Sequence, residues 1–193
     1  MSLNAFRRSF GALIAVLACA IMASAQSSAH ADFTSVKIKN FGQMDDRFYR
    51  GAQPKKDDYE ALKAIGINTV VDLQAEPKDY EKQAVESLGM RYVNIPMVDK
   101  AYPTEAAVAA FMKLVDDPAT GKFYVHCAGG RHRTGAMGAV YRFNKYHWDF
   151  DQVYAEMKKF DFYTSWGHGD FKTFVQDYYA HTQSKGSAVT GGR

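Results

Sequence analysis

Lys122-Phe123-Tyr124-Val125-His126-Cys127-Ala128-Gly129-Gly130-Arg131-His132-Arg133-Thr134-Gly135 is the stretch from which the rest of the chain can be read. Its first four residues are an apolar run with strand character, and after Gly135 the apolar positions Met137, Val140, Tyr141 and Phe143 fall in a helical rhythm. A glycine-rich loop therefore joins the C-terminal end of a strand to a helix N-terminus. A helix start exposes unpaired backbone N–H groups and a partial positive charge, so the amides of residues 128 to 133 can converge on an anion. Gly129 and Gly130 permit the backbone angles such a nest requires. The planar fork of Arg133 can bind two phosphate oxygens at once, and Cys127 at the base of the nest is expected to have a lowered pKa and to act as a thiolate. The loop Ala128-Gly129-Gly130-Arg131-His132-Arg133 is thus predicted to bind phosphate, with Cys127 aimed at phosphorus. A zinc site from His126, Cys127 and His132 falls short of four ligands, so no metal and no cofactor is expected.

The run from His126 to Gly135 resembles the His-Cys-x-x-Gly-x-x-Arg-Thr/Ser-Gly motif of the cysteine-dependent protein tyrosine and dual-specificity phosphatases. Phe48-Tyr49-Arg50-Gly51-Ala52-Gln53-Pro54 is similar to the entry segment of the atypical dual-specificity branch, and the likeness covers about residues 36 to 180. That branch includes bacterial periplasmic tyrosine phosphatases and fungal and plant enzymes that hydrolyse inositol pyrophosphates. The resemblance implies that Cys127 attacks phosphorus and that Thr134 donates to the sulfur when phosphocysteine breaks down. It also implies that His126 buttresses the loop.

With 193 residues, 47% of them apolar, the chain suffices for one domain with a sizeable core. Residues 1–31 read as a cleaved signal peptide: Arg7 and Arg8, an apolar run from Phe10 to Ala23, then small residues around Ala25 and Ala31. Cleavage is expected after Ala31, with Ala25 as the alternative. The arginine pair resembles a twin-arginine signal, and Val16 to Cys19 a lipoprotein box whose cysteine lies inside the apolar run. The run is too short to span a bilayer, so no stable membrane insertion is expected after cleavage and the product is exported, periplasmic or secreted. Removal of two arginines leaves 22 basic against 21 acidic groups, a near-neutral chain with no case for nucleic-acid binding. Cys19 leaves as well, making Cys127 the lone thiol; exported proteins ordinarily use cysteines in pairs, which points to a retained reactive thiol.

Residues 32–183 are expected to form the phosphatase domain and 184–193 a disordered tail. Strands are predicted at Val36–Ile38, Arg47–Tyr49, Thr69–Leu73, Tyr92–Ile95 (stopped by Pro96) and Lys122–Val125. Helices are predicted over Lys55–Ile65, Asp79–Leu88 and Thr104–Val115, then from the loop onward, over Asp149–Phe160 with a capping box, and over Asp170–Tyr179. This alternation predicts an α/β fold: a central, mostly parallel sheet of about four to five strands with helices on both faces, dual-specificity-phosphatase-like. Ligands of such sheets bind at the carboxyl ends of strands, where Cys127 lies. Arg50 and Gln53 are expected to be structural, and Trp148 and Trp166 to be core.

A thiolate that displaces an alkoxide needs a general acid. Asp99, on the loop after the fourth strand, is the candidate, against Asp72, Asp116, Asp161 and Asp170. Arg131, His132 and Lys100 are expected to place positive charge around the pocket mouth. The function expected is hydrolysis of phosphate monoesters, foremost protein phosphotyrosine, with inositol polyphosphate or pyrophosphate as the alternative. The partner is accordingly a phosphorylated protein or a small polyphosphate. A catalytically silent phospho-ligand module would be expected to lack the Cys, the Arg or the acid, and arsenate reduction needs resolving cysteines that the mature chain does not have.

Overall fold

Alternation within the strands decides which face each covers. The computed structural model describes residues 33–190, with side chains through 184. In it a five-stranded sheet has the order β1-β2-β5-β3-β4: β1 (Gly42–Gln43), β2 (Phe48–Ala52), β3 (Thr69–Gln74), β4 (Arg91–Met97) and β5 (Phe123–Cys127). Only the β1–β2 pair is antiparallel. Phe48, Val71, Phe123 and Val125 point to one face, and Tyr49, Val70 and Tyr124 to the other. The first face is covered by α3 (Glu105–Asp116), α4 (His132–Tyr146), α5 (Phe150–Lys159) and α6 (Gly169–Thr190). The second is covered by α1 (Asp58–Ala64) and α2 (Glu81–Ser87), through Tyr59, Leu62 and Val85. The mixed α/β sheet with helices on both faces is the architecture read from the sequence.

Two predicted caps are present. Thr104 accepts from the Ala107 amide at 3.2 Å, and Asp149 and Gln152 form the reciprocal capping box that opens α5. Three elements differ from expectation. Val36–Ile38 is not a strand, because the outer edge of β2 is taken by Gly42–Gln43; Ile38 instead buries its side chain against the α1/α2 face. β4 runs through Pro96 to Met97, which is possible because β4 is an edge strand and its register shifts between Asp72 and Gln74 of β3, so the missing N–H breaks no ladder. α6 runs to Thr190, beyond both Tyr179 and the Ser184 at which a disordered tail was expected; no proline interrupts it. Residues 191–193 and the segment read as a signal peptide lie outside the described residues, and no described helix is long and apolar enough to cross a membrane.

α4 carries the consequence for function. It is buried from His132 to Phe143, and β5, which feeds it, lies between β2 and β3, so the connecting loop is held at the centre of the sheet's carboxyl edge.

Candidate active site

Cys127 ends β5, and Ala128 to Arg131 turn into α4, whose N-cap is Arg131. The loop's carbonyls are tied outward. Asn40 Nδ2 donates to the Gly129 carbonyl at 2.8 Å, Arg50 Nη2 to the Gly130 carbonyl at 2.7 Å, and the Gln53 amide to the Ala128 carbonyl at 3.3 Å. With the carbonyls engaged outside, the N–H groups are left to face inward, the arrangement of an anion nest. Gly130 has φ +65°, and a Cβ there would lie 2.4 Å from the Gly51 backbone, so this position admits only glycine. The Phe48–Pro54 segment is therefore the loop's cradle. Arg50 is fully buried against the Phe160 ring, 4.0 Å from its centroid, and burial pushes its pKa down to about 10.

Burial pushes the Cys127 thiol up, but the Thr134 hydroxyl, the charge of Arg133 and the Thr134 and Arg131 amides together hold it below its ordinary range. Among the described residues the buried Thr134 hydroxyl has no other hydrogen-bond partner, and α4 starts at His132 with Arg131 as its N-cap, so Thr134 is not the helix cap. Arg133 is anchored by Nη1 donating to the Met97 carbonyl at 3.3 Å, with Nη2 3.6 Å from Asp99 Oδ1; its Nε is buried without a partner among the described residues, a donor that a phosphate oxygen can take up.

Asp99 lines the same pocket of about 240 Å³ as Cys127, Arg131 and Arg133. Its rivals do not. Asp72 is buried under β4, Asp116 pairs with Lys145, Asp161 with Arg131 at 3.5 Å, and Asp170 sits in the first turn of α6. A larger groove between α3 and α6 is lined by Tyr102, Met112 and Phe174 among others and does not include Cys127.

His126 pairs with side chains: its Nε2 is 2.7 Å from Glu81 Oε1 and its Nδ1 3.9 Å from Asp72 Oδ1, all three residues fully buried. Burial lowers the His126 pKa, yet the bond to and charge of Glu81, then Asp72 and Cys127, raise it overall; burial raises Glu81, and His126 with Gln53 and Tyr59 lowers it. His126, held above its ordinary range chiefly by Glu81, thus precedes Cys127 on β5. These three side chains are close enough to hold an ion, but the His126–Glu81 pair already supplies the charge balance a metal would bring.

His132 does not carry charge to the pocket mouth. Its ring stacks on His168 with centroids 3.7 Å apart and is enclosed by Phe162, Tyr163 and Phe171; burial and then His168 push its pKa down to about 4. Arg131 remains at the rim, its side chain 27% exposed and paired with Asp161, and Lys100 is exposed. Trp166, expected in the core, is 82% exposed, on a turn with positive φ; Trp148 packs on the core's edge beneath Arg142. Tyr163 and His168, which come from the α5–α6 turn and line the pocket, are not foreseen from the sequence, nor are Glu81 and Asn40. The only local signal for His168 is a histidine flanked by glycines in an aromatic turn.

The model of a family described as "DSP-PTPase phosphatase fused to NAD+ Kinase" matches residues 23–169. OCA1 of Mycosarcoma maydis, carried under a tyrosine-protein phosphatase name, is 26% identical over 126 residues, 63% of this chain and 79% of OCA1. Inositol diphosphatase DSP3 of Arabidopsis thaliana is 24% identical over 125 residues, 62% of this chain and 61% of DSP3. Among solved structures, P. aeruginosa TpbA has a TM-score of 0.62 at 23% identity, covering 72% of this chain and 84% of TpbA, and it has also been solved in complex with pTyr. That likeness shows the fold.

Proposed function

This chain belongs to the DSP-PTPase phosphatase family, in the branch described as fused to NAD+ kinase, and we propose that it is an exported phosphatase hydrolysing phosphate monoesters through a phosphocysteine intermediate, with protein phosphotyrosine as its foremost substrate. The observation that carries this reading is the surroundings of Cys127: a thiol held down by Thr134 and Arg133 at the base of an amide nest, in a pocket shared with Asp99. In the first step Cys127 Sγ attacks phosphorus while the P–O bond to the leaving group breaks. Asp99 gives its proton to the departing oxygen, and Arg133 with the loop amides takes up the charge on the equatorial oxygens. In the second, water forms the new P–O bond and loses a proton to Asp99. The P–S bond breaks, and its electron pair returns to Sγ beside the Thr134 hydroxyl.

The pyrophosphate and inositol polyphosphate reading is supported by the name of the Arabidopsis relative and by Arg131 at the rim, and it loses support from a neutral His132. Export rests on the character of residues 1–31. The reading is tested by assaying the wild type and Cys127→Ser on an aryl phosphate, phosphotyrosine and phosphothreonine peptides and an inositol polyphosphate. Turnover is expected to fall by about a thousandfold or more in Cys127→Ser, with peptide binding retained. Undiminished turnover in that variant would end the phosphocysteine reading, and a preference for the inositol substrate would replace phosphotyrosine.

A further inference from the structure

The α5–α6 turn contributes a histidine to the pocket that the two-step reading leaves unused. His168 Nδ1 lies 3.0 Å from the Ser165 carbonyl oxygen. A carbonyl only accepts, so Nδ1 carries the proton, and in the neutral form of the ring the lone pair is then at Nε2. The ring is 6% exposed, stacked on His132 with an interplanar angle of 19°, and lines the pocket that contains Cys127 and Asp99. Nε2 has no hydrogen-bond partner among the described residues.

What the pocket lacks elsewhere gives this nitrogen its use. The loop amides, Arg131 and Arg133 only donate, and His132 Nε2 is engaged with the Tyr163 carbonyl at 3.1 Å. Asp99, His168 Nε2 and the Nδ1 lone pair of the neutral His132 are left as acceptors, His168 being the one carried by the α5–α6 turn rather than by the loop and α4. Water attacking phosphocysteine must turn a lone pair toward phosphorus, and it is held so when both of its O–H bonds are accepted. Asp99 can take one of them, the one whose proton is transferred; orientation then depends on an acceptor for the other.

The geometry points to His168 as a positioning residue for the second step: Nε2 accepts one water O–H while Asp99 accepts the other. The inference rests on the phosphocysteine reading above. During the step oxygen bonds to phosphorus, the P–S bond breaks with its electron pair returning to Cys127, and the transferred proton goes to Asp99. His168 holds a hydrogen bond and gains no proton.

The test is direct observation of phosphoenzyme formation and decay by rapid quench and intact-protein mass, with kcat and kcat/KM on an aryl phosphate. His168→Phe keeps a ring stacked on His132 without the acceptor. Phosphoenzyme decay is expected to slow about tenfold or more, a burst of phenol equal to the enzyme concentration to appear, and kcat/KM, which ends at thiol phosphorylation, to change less than twofold. His168→Gln returns an acceptor without the aromatic ring and is expected to restore most of the decay rate. The assignment is overturned if His168→Phe decays at the wild-type rate, if kcat and kcat/KM fall together, or if Phe preserves decay where Gln does not, which is the pattern of a stacking role. Failure of the wild type to form any phosphoenzyme would overturn the phosphocysteine reading itself, and this assignment with it.

Discussion

At the scale of single residues, the chemistry turns on the competition at Cys127 between burial, which disfavours charge, and the dipoles and cations that favour it. Because the folded thiol titrates below its ordinary value, reactivity is present above the folded pKa and is lost as pH falls through it. Alkylation by iodoacetamide should therefore show a midpoint below that of a free thiol. Thr134→Val, which removes the hydroxyl, should move the midpoint upward; an unmoved midpoint would remove Thr134 from the account. As the proposed general acid, Asp99 should separate substrates by leaving group. Asp99→Asn should cost about 100-fold or more on an alkyl phosphate, which needs protonation, and far less on an aryl phosphate with an acidic phenol. Equal losses on both would reassign the acid. Cys127, Arg133 and Thr134 were legible in sequence because they lie within one turn of loop and helix. Asp99 was only one of five candidates until the pocket excluded Asp72, Asp116, Asp161 and Asp170.

At the scale of elements, the loop is a joint between β5 and α4 whose shape is imposed by β2. Gly129 and Gly130 look alike in sequence and differ in the fold. Gly129 has a conformation open to L residues and meets nothing closer than Arg131 Cδ at 3.7 Å, whereas Gly130 has φ +65° and abuts the Gly51 backbone. Gly130→Ala should lower Tm by at least about 2 °C, since a left-handed L residue alone costs roughly 1–2 kcal/mol, and should depress kcat/KM. Gly129→Ala should leave both near wild type. Thermal denaturation with a steady-state assay decides this, and equal tolerance of the two would contradict the cradle. Helix starts at Thr104 and Asp149 could be read locally because capping is a contact across three residues. The strand expected at Val36–Ile38 could not be placed, since its existence depended on whether an edge of β2 was free.

At the scale of the whole molecule, the Glu81–His126 pair fastens α2 to β5 behind the nucleophile. Glu81→Gln leaves a buried histidine without its counter-charge and should cost about 3–5 kcal/mol in urea denaturation. The loss should depend on pH. The Glu81 contribution, from a depressed pKa, is present above the ordinary 4.5 and lost as pH falls through the lower folded value; the His126 contribution, from a raised pKa, is full below 6.5 and lost as pH rises through the higher folded value. The gap between wild type and variant should thus be widest between those two ordinary values, and a gap that does not vary with pH would show that the pair is not charged. By itself the sequence determined the glycine-rich loop between β5 and α4, the alternating strands and covered sheet, and the caps, because each is written in spacings of a few residues. The tertiary structure alone decided that His132 is neutral, that Trp166 stands in solvent, that Glu81 backs Cys127, and that Tyr163 and His168 complete the pocket. Those outcomes depend on desolvation and on contacts between segments far apart in the chain, and neither is fixed until the helices close over the sheet.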